Sequence, residues 1–588
     1  MSVPRILKSA SLATPLVALL VSGCVPPPSA TIAPSRPAPM AAAIEGVPVD
    51  SAGLVSAADP RAAEAGVQML RLGGSATDAA IATMLALTVV EPQSSGIGGG
   101  GFLVLGDAAG KVETIDGRET APKAATPQWF YADGKPLPYR DAIPGGRSVG
   151  VPGNLRLAAL AHNGKGRLSW RTLFQPAIRL AREGFEVTPR LRAILAAASR
   201  TGALDPEARA LFYGADGQPL AVGTVVRNPA LAATLETVAA RGADSFYAGE
   251  NATLIAAEVG TAPRNPSPMT TADIAGYKAI ARPPVCGQYR AWRICGMGPP
   301  SSGATTVFAI LKQLERFDMK ALGATNPVSW HLIAESQRLA YADRDQYLAD
   351  SDFVSVPVAG LTDPAYLAAR SALISESTSL GIVSPGTPPG ARLAFAKADP
   401  QEENGTTHFV SVDRWGNAAS YTSTIEGPFG SGLMVGGYYL NNELTDFNIV
   451  PDKDGKPTAN RVEAGKRPRS SMSPTLIYGP DGKLRLAIGA AGGVTIPAQV
   501  AKAIIGVLDW DLSAREAIAL PVIFAPGGDV VFVEQGTTLE AMIPALQQLG
   551  HAQVLARSPS FKANAIERVG NRWRGAADPR SEGAAVAP

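Results

Sequence analysis

The stretch Asn404-Gly405-Thr406-Thr407-His408-Phe409-Val410-Ser411-Val412, then Asp413-Arg414-Trp415-Gly416-Asn417, then Ala418-Ala419-Ser420-Tyr421-Thr422-Ser423-Thr424, holds two β-rich runs around a polar turn. That pattern is a hairpin signature. Centred on Trp415, the hairpin sets Thr424 opposite Thr406, so two hydroxyls share one face at its open end. A cross-strand threonine pair alone reports only β propensity. Two polar clusters and a Gly/Ala run follow it: Asn441-Asn442-Glu443-Leu444-Thr445-Asp446-Phe447, Arg467-Pro468-Arg469-Ser470-Ser471-Met472-Ser473-Pro474 and Gly489-Ala490-Ala491-Gly492-Gly493.

Upstream of the hairpin the chain reads as mainly helical. Small and apolar residues recur at helical spacing from Ala62 to Leu87, broken at Gly73-Gly74, which predicts two helices joined by a tight turn ending at Glu91-Pro92. Trp170–Glu183 and Asn228–Arg241 are amphipathic, and a long helix is expected from about Val328 to Leu348. On that helix His331 and Glu335 stand at i, i+4; two ligand types without a third read as a helix-face pair. Gly96-Ile97-Gly98-Gly99 resembles a dinucleotide turn, but its glycines lead from a helix into a strand, the reverse of what that turn requires. Ser375 to Gln401 is polar and Pro/Gly-rich and is expected to be a long exposed segment, suited to chain cleavage. Beyond the hairpin, strands at Gly437–Leu440, Thr475–Tyr478, Leu484–Ile488 and Val530–Val533 alternate with helices at about Ile496–Leu508 and Leu539–Leu549. The whole predicts a layered α/β protein with sheets sandwiched by helices.

Composition narrows the function. The 588 residues carry a net charge of +2, with 46% hydrophobic and 18% charged residues, which excludes a charge-driven nucleic-acid binder and a disordered chain. At the N-terminus, Arg5 and Lys8 precede an apolar run from Leu12 to Val21. Its roughly ten residues are half of what a membrane-spanning helix needs, and they read as a signal-peptide core. Val21-Ser22-Gly23-Cys24 before three prolines resembles a lipoprotein processing site. Residues 1–23 are therefore expected to be a signal peptide, Cys24 a lipidated mature N-terminus, and 24–45 a Pro/Ala-rich tether; the protein would be exported, periplasmic and lipid-anchored. Cys286 and Cys295 face each other if their segment is a hairpin turning at Arg290-Ala291; a cross-strand disulfide and a pair of buried thiols are both open. There is no C-x-x-C, and the four histidines (His162, His331, His408, His551) are scattered, so no metal is expected.

From about Val55 to Arg580 the chain resembles the γ-glutamyltranspeptidase family of N-terminal-nucleophile hydrolases. The resemblance rests on Gly73-Gly74-Ser75-Ala76-Thr77-Asp78-Ala79-Ala80, Glu91-Pro92-Gln93-Ser94-Ser95-Gly96-Ile97-Gly98-Gly99-Gly100-Gly101-Phe102, Arg118-Glu119-Thr120-Ala121-Pro122, Pro299-Pro300-Ser301-Ser302-Gly303, Tyr341-Ala342-Asp343-Arg344, Thr406-Thr407-His408 and Asp578-Pro579-Arg580. It implies an αββα sandwich and two chains made from one precursor, a large one of 46–405 and a small one of 406–588. It implies no cofactor, and as partners glutathione or other γ-glutamyl donors with water, amino acids or peptides as acceptors.

The chemistry suits this. A threonine hydroxyl needs a nearby base; cleavage of Gly405-Thr406 gives Thr406 a free α-amine with an ordinary pKa of about 7.7–8.0, close enough to serve. The same hydroxyl performs the cleavage by attacking the Gly405 carbonyl, and glycine there lets the backbone bend. By resemblance, Thr424 hydrogen-bonds the Thr406 hydroxyl, and Gly492-Gly493 supply an oxyanion hole. Arg118 holds the donor α-carboxylate with Ser470 and Ser471, and Glu426, Glu443 and Asp446 hold the α-ammonium. Three acids facing one pocket repel one another, which a cationic ligand relieves. The chain departs from the family in three places: the loop Phe447–Arg469 has no Tyr or Trp to cover the donor, Thr445 stands where many relatives are acidic, and Gly427-Pro428 follows Glu426. Two alternatives compete: an acylase that removes glutaryl groups from cephalosporins, and an uncleaved lipoprotein that only binds γ-glutamyl compounds.

Overall fold

The computed structural model describes residues 46–392, 395–396, 405–558 and 562–588. These belong to one compact unit, Ala43–Pro588. The expected signal peptide, Cys24, the tether to residue 45 and Asn404 lie outside the described residues.

Two seven-stranded antiparallel sheets form the centre. The hairpin occupies the middle of the first, as Thr407–Asp413 and Ala418–Thr424, paired Thr407 to Ser423 and His408 to Thr422 in the expected register. Its turn is held by Asp413, whose carboxylate accepts from the backbone of Trp415 and Asn417 and, across the fold, from Ala76 N at the start of a helix. Gly53–Ala57 and Ala584–Val586 extend this sheet on one side, and Gly100–Gly106, Val112–Gly117 and Ile280–Arg282 on the other. The second sheet runs Val47–Pro48, Arg572–Ala577, Lys562–Val569, Leu484–Ala491, Thr475–Tyr478, Trp292–Gly296 and Val285–Tyr289. Strands from either side of residue 405 are interleaved in both sheets.

Alternation along the strands builds the layers. Leu54, Phe102, Val104, Val410 and Val412 share a core with Leu486, Ile488 and Ile566 of the second sheet, whereas Val55, Leu103, Leu105 and Phe409 share one with the helices Pro60–Arg71 and Ala76–Val90. Helices Gly303–Leu314, Pro327–Tyr347 and Ile496–Leu508 join the core of the second sheet. The result is the αββα order. Ala76–Val90 is buried along its entire length, which is why its sequence shows composition more than amphipathic period; Ser75 and Asp78 cap its start reciprocally.

Several elements differ from expectation. The predicted helix over Leu539–Leu549 is two short ones, Thr538–Ala541 and Ile543–Gln548, parted just before Pro544, which has no N–H to continue a ladder. The start of the expected exposed segment is pinned: Glu335 accepts from Ser379 Oγ (2.8 Å) and Leu380 N (2.6 Å), and Asp343 from Gly386 N (2.7 Å). Cys286 stands opposite Cys295 and their sulfurs are bonded. Among the described residues, no helix is long and apolar enough to cross a membrane.

Candidate active site

Thr406 sits at the mouth of the hairpin, just before its first strand, and is almost wholly buried. Its Oγ1 contacts the Gly405 carbonyl oxygen and lies 3.4 Å from Thr424 Oγ1. The Thr424 hydroxyl in turn accepts from Glu426 N at 2.7 Å. That bond accompanies a left-handed backbone at Glu426 (φ 72°), an uncommon conformation for a residue with a side chain. Gly405 is required here for space: a Cβ would run into the Glu426 carbonyl oxygen.

One recess is lined by Gly405, Thr406, Thr424, Gly493, Glu426, Arg118, Glu443, Asp446 and Ser470, with Met472 and Ile496. Nearly all the residues expected from sequence therefore meet, although they come from six separate segments. Gly492 and Gly493 (φ 131° and 57°) turn the strand Leu484–Ala491 toward the helix Ile496–Leu508 in a backbone that glycine tolerates. Gly492 and Ser471 are not among the lining residues; the Ser471 hydroxyl accepts from Arg344 Nη2.

At the charged end the structure changes the sequence picture. Arg118 does not stand apart from the acids. Its Nη1 donates to Glu443 and its Nη2 to Asp446, with further bonds from Nη2 to Arg469 O (2.9 Å) and from Nε to Pro468 O (3.1 Å). Burial opposes the charge on this guanidinium, but Glu443, Asp446 and Glu119 outweigh it and hold its pKa above the ordinary value. Glu426 is turned elsewhere, accepting from Asn442 Nδ2 and from Tyr139 OH at 3.2 Å. Arg118 thus offsets part of the mutual repulsion expected of the three acids.

Some contributors were not read from sequence. Glu119, fully buried with Oε2 4.0 Å from Arg118 Nη1, is a third carboxyl beside the guanidinium, with Glu443 and Asp446. Burial drives both Glu119 and Glu443 upward, against the pull of Arg118. Tyr139 brings an aromatic ring to Glu426 from outside the loop Phe447–Arg469. Arg344 and Ser302 brace the serines: Arg344 Nε donates to Ser302 Oγ (2.9 Å), which donates to Ser470 O (2.8 Å). The motifs containing Glu119, Ser302 and Arg344 were visible; nothing local showed where their side chains point.

None of the four histidines lines the recess. His408 is on the hairpin, yet its Nδ1 pairs with Thr422 Oγ1 (2.8 Å), and burial pushes its pKa down to about 3. It is neutral at working pH. The sign for stability follows: between about pH 6.5 and 3 the unfolded chain takes up a proton that folded His408 refuses, so stability falls as pH drops through that window. A thermal-unfolding series over this range should show a shallower slope in His408→Gln than in the parent. His331 and Glu335 gain a third candidate ligand, His551, all within 4.8 Å and buried. Their ligand atoms are already engaged, His331 Nδ1 with His551 Nε2 (2.8 Å), His331 Nε2 with Ser375 O (2.8 Å), and Glu335 with Ser379 and Leu380. That cluster ties the segment after Ser375 to the long helix.

Comparison with known proteins matches this arrangement to a family. The gamma-glutamyltranspeptidase family model matches residues 62–587. A Bacillus subtilis (strain 168) protein named glutathione hydrolase proenzyme is 35% identical over 558 residues, covering 92% of each chain. The crystal structure of a cephalosporin acylase from Bacillus halodurans superposes with a TM-score of 0.82 at 26% identity, covering 95% of this chain and 99% of that one. The Helicobacter pylori gamma-glutamyltranspeptidase structure gives 0.52 at 36% identity, over 54% of this chain and 91% of that one. A threonine-bearing hairpin at the middle of one of two helix-covered sheets and an arginine-acid recess thus occur in a chain matched by the family model almost from end to end: the protein belongs to the gamma-glutamyltranspeptidase family.

Proposed function

We propose that this protein is a self-processing γ-glutamyl acyltransferase and glutathione hydrolase. The observation that carries the reading is the single recess with a threonine pair and Gly493 at one end and Arg118 with Glu426, Glu443 and Asp446 at the other. In maturation, Thr406 Oγ1 attacks the Gly405 carbonyl carbon. The acyl group moves from N to O, and water hydrolyses the ester, leaving a carboxylate on Gly405 and a free amine on Thr406. In turnover, that amine takes the hydroxyl proton as Oγ1 attacks the donor's γ-carbonyl. The N–H groups of Gly492-Gly493 receive the developing oxyanion, and the amine returns the proton to the departing nitrogen. Water or the amine of an amino acid or peptide then releases the γ-glutamyl group from Thr406.

A glutaryl-cephalosporin acylase is the second reading, favoured by the overall likeness to the acylase structure. The recess weighs against it, because three carboxyls beside one guanidinium suit a ligand that brings a cation with its carboxylate. Release of product from a γ-glutamyl anilide and from a glutaryl anilide decides between them. The γ-glutamyl compound is expected to be preferred by about tenfold or more in kcat/KM; equal or reversed preference would remove the transferase reading. We further propose export to the periplasm with a lipid on Cys24. Metabolic labelling with a radioactive fatty acid, lost in Cys24→Ala, tests the anchor.

A further inference from the structure

Behind the threonines lies a buried ion pair with no part in the chemistry above. Glu91 caps the end of the helix Ala76–Val90, and Lys562 opens the strand Lys562–Val569. Lys562 Nζ donates to both carboxylate oxygens of Glu91 (3.1 and 2.9 Å) and to Ser94 Oγ (2.9 Å). All three residues are at most 5% exposed. Taking two charges out of water is costly, and a well-packed apolar pair is often at least as stabilising. Geometry, more than stability, is what such a pair supplies.

The contacts reach all three reacting elements. Glu91 Oε2 accepts from Thr407 Oγ1 at 3.0 Å, fixing the residue next to Thr406. Ser94, held by Lys562 through its hydroxyl, accepts from Ile425 N at 3.3 Å through its carbonyl, fixing the residue after Thr424. Lys562 itself pairs in the sheet with Ala491, the residue before Gly492. We propose that the Lys562–Glu91 pair is a positioning device that aligns Thr406, Thr424 and Gly492 with one another, for chain cleavage and for turnover alike. The inference rests on Thr406 being the nucleophile. Because none of these residues lines the recess at Arg118, its signature is a loss of rate without a loss of donor binding.

The test compares Thr407→Val, which keeps the shape and removes the hydroxyl, with Thr407→Ser, which keeps the hydroxyl, and with Lys562→Met. Cleavage is followed on denaturing gels, melting temperature is recorded, and kcat and KM for a γ-glutamyl anilide are expressed per cleaved chain. Thr407→Val and Lys562→Met are expected to cleave about tenfold or more slowly and to lose a similar factor in kcat, with KM changed by less than about twofold. Thr407→Ser is expected to stay close to the parent. Parent-like cleavage and kcat in the Val variant, losses confined to melting temperature, or a Ser variant as impaired as Val would each overturn the proposal. Cleavage needs no donor, so these outcomes are separate from an error about the substrate; a parent chain that stays whole would remove the nucleophile assignment and this inference with it.

Discussion

Thr406→Ala is expected to remain a single chain and to lose turnover by at least about 10³–10⁴-fold, because one side chain performs both the cleavage and the acyl transfer. The geometry makes the expectation specific. Thr406 Oγ1 already contacts the carbonyl of the residue it is to attack, and the neighbouring hydroxyl of Thr424 is the other group on it. No histidine replaces the missing function, since the nearest along the chain, His408, is bonded to Thr422 and held neutral. Thr406→Ser keeps both roles and should still cleave. The parent should give two fragments on a denaturing gel that migrate as one body under native conditions, since the strands before and after residue 405 are interleaved in both sheets. Normal processing of purified Thr406→Ala would refute the mechanism.

The second large effect is expected at Arg118, and it arises from an exchange of ion pairs. In this structure the guanidinium is bonded to Glu443 and Asp446, and all three residues are almost wholly buried. A γ-glutamyl donor is a zwitterion at the end that enters this recess. On the proposed function its carboxylate would replace the acids on Arg118 while its ammonium would replace Arg118 on the acids, so that every buried charge keeps a partner. A glutaryl donor brings only the carboxylate and leaves the acids uncompensated.

Arg118→Ala should therefore lower kcat/KM for both donors by a factor corresponding to about 2–5 kcal/mol, and should lower the melting temperature as well. Asp446→Asn or Glu443→Gln should instead separate the donors. The γ-glutamyl compound is expected to lose about tenfold or more, whereas the glutaryl compound is unchanged or improved. Parallel kinetics on both anilides supply the readout. Equal losses for the two donors would mean that the acids serve the fold or the cleavage step and do not read the amine.

Much of this was legible in the chain because it depends on interactions between near neighbours. Turn chemistry at Asp413–Asn417 fixes the hairpin register and with it the opposition of Thr406 and Thr424; the same reasoning set Cys286 opposite Cys295. The helices Trp170–Glu183 and Ile496–Leu508 follow from apolar spacing, and the positions of the recess residues follow from motifs that resemble a known family. Strands such as Gly53–Ala57 and Lys562–Val569 were not read, because burial on both faces leaves no alternation to detect.

Tertiary structure alone decided which charges meet. Arg118 and Glu443 are 325 residues apart in sequence, and Glu91 and Lys562 are 471 apart. No local propensity acts over such separations; the packing of sheets and helices brings these groups together, and burial then makes each charge depend on its partner. The same holds for Gly405, whose sequence reading was backbone freedom and whose constraint in the fold is the Glu426 carbonyl beside it. Sequence by itself determined the order of the elements, the nucleophile hairpin and the chemical types in the recess. The pairing of those types was settled only when distant segments closed on one another and excluded water.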